Sequence, residues 1–141
     1  MIKIFTLSLL VLAVSINISA SEPDDIRKIL QKCIDLPELQ KLYPESIQVY
    51  VLQHGISFSS GIDVTKFGKK VLFINKSQLE SGNIKSYFLF WEFKIEHASA
   101  NIDFVYNYPG KDNIPVTQRV ILRLQKEGET WSVVKTEILE G

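Results

Sequence analysis

Few side chains in this sequence have the chemistry to act on a substrate, and they lie far apart. There are two histidines, His54 and His97, and one cysteine, Cys33. A structural zinc site needs about four nitrogen or sulfur ligands with local pairing. The chain has no C-x2-C, H-E-x-x-H or H-x3-H spacing, so no metal site is expected. There is no G-x-S-x-G elbow for a nucleophilic serine, and Ser59-Ser60-Gly61 is a loop composition. Phe67-Gly68-Lys69-Lys70 leads into a strand and is not a phosphate loop, so no cofactor is expected. His54 precedes Gly55 at a strand end, and His97 falls at a turn. A histidine acts as a base only with a partner that orients it, and neither position supplies one.

The remaining candidates are Asp103, which shares the polar side of a strand with Ser99 and Asn101, and an aromatic group of Tyr87, Trp91, Phe93 and Tyr106. Aromatic walls around a few polar groups are the usual lining of a small-molecule pocket. The candidate ligand-binding residues are therefore Trp91, Tyr106, Tyr87, His54 and Asp103. The commoner role of such an aromatic stripe is core packing.

Several elements must position these side chains. Ser21-Glu22-Pro23-Asp24 resembles a capping box, with proline in the first turn. Ile26, Ile29, Leu30, Cys33 and Ile34 then follow at i, i+3, i+4, i+7 and i+8, which predicts a helix over 21–34 with Cys33 on its buried face. A second helical segment is predicted from Asp35 to Tyr43, ended by Pro44. Strands are predicted at 47–52, 70–74, 86–96, 98–108, 116–126 and 130–139. Residues 53–68 carry three glycines and several serines and read as a loop, with Phe58, Val64 and Phe67 to pin it down. Residues 75–83 are polar and read as a turn or a short helical turn, and Asn75-Lys76-Ser77 matches a glycosylation sequon. In 86–96, strict alternation places Tyr87, Leu89, Trp91, Phe93 and Ile95 on one face. The expected fold is α+β: a kinked N-terminal helix pair packed on an antiparallel, curved, five-stranded meander.

The first twenty residues read as an address. Lys3 is a short positive region, Ile4 to Val14 an almost unbroken apolar run, and Asn17-Ile18-Ser19-Ala20 ends in small residues. That is the layout of a secretory signal peptide cleaved after Ala20. An uncleaved anchor is the alternative, and a lipoprotein signal would need a cysteine just after the run. The expected organisation is a signal peptide over 1–20 and a single domain over 21–141, exported to the periplasm or secreted. Without residues 1–20 the 141-residue chain would be 121 residues long, with 15 basic and 16 acidic side chains. A near-neutral chain with no basic stripe lacks the footprint of a nucleic-acid binder. It also lacks a polybasic patch for membranes, so no stable membrane insertion is expected after cleavage.

A kinked helix followed by a long meander, closing on an alternating apolar strand, a charged turn with glycine and Trp131-Ser132-Val133-Val134, resembles the NTF2-like and cystatin-like folds of small exported proteins. The resemblance covers residues 21–141 and carries no functional motif. It implies a curved sheet that in some NTF2-like enzymes presents an aspartate as general base, the place Asp103 would take. The function expected is non-catalytic binding of a protein partner or a small ligand. The alternatives are an NTF2-like pocket enzyme using Asp103 or His54, and an inhibitory or structural module acting through the 53–68 loop.

Overall fold

The computed structural model describes residues 23–43 and 47–140. The signal-peptide reading of 1–20, the cap at Ser21 and the stop at Pro44 lie outside them. Helix α1 spans Pro23–Ile34 and α2 Pro37–Gln40. Strand β1 (Tyr50–Leu52) follows, then a small hairpin of β2 (Thr65–Lys66) and β3 (Lys69–Lys70). Strand β4 (Leu72–Ile74) leads into helix α3 (Lys76–Ser81). Four long strands complete the described chain: β5 (Tyr87–Glu96), β6 (Ser99–Pro109), β7 (Pro115–Glu127) and β8 (Thr130–Glu140).

The molecule is α+β, with a mostly antiparallel mixed sheet ordered β4-β1-β5-β6-β7-β8. This corrects the expectation of a five-stranded antiparallel meander. Only β5 to β8 form the meander; β1 runs parallel to both β4 and β5. Parallel neighbours need long connections. Residues 53–71 and the α3 segment supply them, so β1 inserts between β4 and β5.

Helix α1 buries Ile29, Leu30, Cys33 and Ile34, as its spacing requires. Burial without a charged neighbour raises the Cys33 thiol pKa and leaves it inert. The second helical segment is a single turn. Leu36 is its N-cap and makes no side-chain cap bond. Asp35 turns away instead, accepting from Lys66 Nζ at 3.0 Å and from Gln31 Nε2 at 2.9 Å. Helix α3 does carry a capping box, in which Asn75 accepts from the Gln78 amide and Gln78 accepts from the Asn75 amide.

The core faces of the sheet strands and α1 form one buried cluster. Phe88, Phe90, Ala100, Ile102, Phe104, Tyr106, Val120, Leu122, Leu124 and Trp131 supply it from the strands. Phe58 closes one end by packing on Phe73, Phe90 and Phe93, with centroids 5.3–5.7 Å apart. The 53–68 loop thus points its main aromatic inward. Phe67 sits at the turn of the β2–β3 hairpin with a positive φ of 56°, an unusual conformation for an aromatic residue. It makes an edge contact with Tyr43.

A β-bulge lies between Phe90 and Glu92, with Trp91 as the extra residue. Before the bulge, Phe88 and Phe90 face the core; after it, Phe93 and Ile95 do, opposite Ile102 and Ala100. The single five-residue face expected from strict alternation is therefore split. A bulge breaks period two because two residues on one strand oppose one on its neighbour.

Candidate functional site

Opposite the helical layer, the sheet presents an open face across β5 to β8. Register assigns to it Leu89 and Glu92 of β5, Asp103 and Val105 of β6, Arg119 and Ile121 of β7, and Glu137 and Leu139 of β8. The bulge turns Trp91 onto this face, where the side chain is 53% exposed. The Arg119 guanidinium lies over the indole, 5.0 Å from the ring centroid. Arg119 is fixed from its other side by Asp103. Its Nε donates to Asp103 Oδ1 at 3.1 Å and its Nη2 to Oδ2 at 2.7 Å. This two-point pair holds a planar cation in one orientation. The Asp103 bond raises the Arg119 pKa further, so the group is a permanent cation.

Three strands thus place an indole, a guanidinium and a carboxylate in a row. An indole and a guanidinium offer broad, stiff contact area at the surface. The arrangement does not suit a base. Both Asp103 oxygens accept from Arg119, so the carboxylate is committed to positioning the guanidinium.

The other candidates separate from this row. Tyr106 is buried on the opposite face, against Phe88 and Tyr43. Burial pushes its hydroxyl pKa up to about 12; the nearby Ser86 side chain pulls the other way. Among the described residues, no donor or acceptor reaches this hydroxyl with hydrogen-bonding geometry. Tyr87 is half-buried at the start of β5, opposite Asn107. His54 is exposed in the bend after β1. His97 is exposed in the β5–β6 turn with a φ of 56°. The five candidates therefore line no common pocket. Trp91 and Asp103 share a face through Arg119, Tyr106 lies beneath the sheet, and His54 is exposed in the bend after β1.

The space between α1 and the sheet is filled by the buried cluster. Three concavities among the described residues are surface grooves. One, of about 930 Å³, runs between α1 and β8, walled by Arg27, Gln31 and Lys32 and floored by Trp131, Val133 and Thr136. Among the described residues, no three His, Cys, Asp or Glu side chains are grouped to hold a metal ion. Nor is any described helix long and apolar enough to cross a membrane.

Compared with protein-family models, curated proteins and solved structures, the chain matches none. Its function has to be read from its own geometry.

Arg119 is the site residue that the sequence reading passed over. It stands opposite Val105, diagonal to Asp103 on the adjacent strand, where side chains as long as arginine can meet. The switch of apolar parity, from Phe88 and Phe90 to Phe93 and Ile95, was the available sign of the bulge that exposes Trp91.

Proposed function

We propose that this chain is an exported, non-catalytic binding domain of the envelope or extracellular space. It takes a protein partner on the open sheet face centred on Trp91. The observation that carries this reading is the exposed Trp91 with Arg119 locked over it by Asp103. Trp and Arg are the residues most often found to dominate binding at protein interfaces. Here their geometry is set before any partner arrives, which lowers the entropy lost on docking. Export rests on residues 1–20, whose charge, apolar run and small terminal residues fit a cleaved signal. The resemblance to NTF2-like and cystatin-like domains enters only through the helix-on-sheet architecture.

A pocket enzyme is less well supported, because Asp103 is engaged by Arg119 and the helix–sheet interior is filled. A loop-borne inhibitory module is also less well supported, because Phe58 serves the core.

The test is site-specific photo-crosslinking in the exporting cell. A photoreactive amino acid at position 91 should give a discrete adduct with one partner, and the same probe at Lys111 should not. Identical patterns at both positions would overturn the proposal. Intact mass of the exported protein tests the address, with an N-terminus at Ser21 expected.

A further inference from the structure

Strand β8 ends the sheet, and among the described residues no element pairs with its outer edge. An edge strand presents a row of unpaired N–H and C=O groups that templates another strand. Proteins usually blunt such edges by keeping them short, by placing proline or a bulge there or by crowding them with charge. The β8 strand is 11 residues long and has no proline. It exposes Val134 (50%) at its middle and Ile138 (38%) and Leu139 (36%) toward its C-terminal end. Its one irregularity is the bulge at Val134, between the pairs Leu124–Val133 and Arg123–Lys135.

The charges on this edge are ordered. Lys135 and Glu137 are both exposed, lie on the open face and flank Thr136. Suppose two copies pair antiparallel about Thr136. Lys135 of each copy then faces Glu137 of the other, twice over. Thr136 meets Thr136, and the exposed Val134 comes beside the exposed Ile138. Centring one residue earlier sets Lys135 against Lys135; one residue later sets Glu137 against Glu137. Opposite charges directly across a strand pair stabilise it and like charges destabilise it, so of these three registers the charges favour the one centred on Thr136.

We infer that this chain forms a two-fold dimer by antiparallel pairing of β8 with β8 of a second copy, centred on Thr136. The six-stranded sheet then continues across the seam as one sheet, with both Trp91 faces on the same side. The partner is the chain itself, met at the sheet edge. The inference does not depend on the open-face reading above.

Sedimentation equilibrium of the purified exported protein over a range of concentrations tests it. The expected result is a monomer–dimer equilibrium. K135E or E137K alone should weaken the dimer by roughly tenfold, because each turns two attractive pairs into repulsive ones. The double swap K135E/E137K should restore it. W91A should leave it unchanged. Far-UV circular dichroism should match the parent protein in all four variants, since these side chains are exposed. A monomer at every concentration, a dimer indifferent to the single swaps, no rescue by the double swap, or loss of the dimer in W91A would each overturn the inference.

Discussion

The indole Nε1 of Trp131 donates a hydrogen bond to Asp25 Oδ1 at 3.0 Å, joining the first turn of α1 to the start of β8 across 106 residues of chain. Asp25 is 4% exposed. The same oxygen lies 3.0 Å from Lys126 Nζ, on the strand beside β8, and that ammonium also sits 5.9 Å from the centroid of the Trp131 ring. One carboxylate thus ties the helix to both strands of the last hairpin. Removing one member of a buried charged pair is much costlier than the net value of the pair, because the other charge keeps its desolvation penalty. Asp25→Ala should therefore destabilise the fold by about 3 kcal/mol. Asp25→Asn, which retains an acceptor for the indole, should cost less. Urea titrations followed by tryptophan fluorescence would rank the two; equal costs would mean that the bond to the indole contributes nothing beyond the charge facing Lys126.

Tyr106→Phe should be neutral or stabilising, by up to about 1 kcal/mol, since a buried hydroxyl with no hydrogen-bond partner among the described residues carries a desolvation penalty that phenylalanine avoids. Thermal melts at neutral pH would check this, and a loss of more than that amount would show that the hydroxyl has a partner in solution.

The same hydroxyl sets an alkaline limit. Burial raises its pKa from 10.0 to about 12 in the folded chain, and burial also raises the pKa of Tyr43. A raised folded-state pKa means that the unfolded chain releases its proton first. The stability linked to these phenols is complete below pH 10.0 and is lost as pH climbs toward 12. Tyr106→Phe should flatten that loss between pH 10 and 12. Stability measured across this window would show the difference, and parallel curves for the two proteins would refute the assignment.

Cys33 should resist thiol reagents in the native state and react only as the chain opens. Its side chain is fully buried and burial raises its pKa. The labelling rate in increasing urea should therefore follow the unfolding equilibrium. Fast labelling without denaturant would place the thiol at the surface.

Phe58→Ala should cost about 3 kcal/mol, the lower end for phenylalanine truncation, because the ring is only partly buried yet touches Phe73, Phe90 and Phe93. The 53–68 loop should also become more open to proteolysis, which limited digestion would show. An unchanged melting point would mean that the loop packs independently of this ring.

Much of the architecture was written in local patterns. The spacing of Ile29, Leu30, Cys33 and Ile34 gives α1 and its buried face, and the alternation in β6 and β7 gives which side chains meet the core. These features depend on nothing beyond the helical and strand repeats of one segment. At 75–83 polarity alone pointed to a turn or a short helical turn, and the structure there has helix α3, capped by Asn75 and Gln78.

What the tertiary structure decided are relations between segments. The parallel insertion of β1 between β4 and β5 follows from which strands meet, and a strand of three residues carries little information about its neighbours. The bulge at Trp91 is settled by the match of β5 to β6, where one strand has a residue to spare. It sends Trp91 outward and Phe93 inward, so the aromatic group that the sequence offered as one pocket wall became part core and part exposed surface. The sequence could show that Asp103 lay on a polar face. Only the register of β6 against β7 could show that Arg119 reaches across to claim both of its oxygens and, from there, covers Trp91.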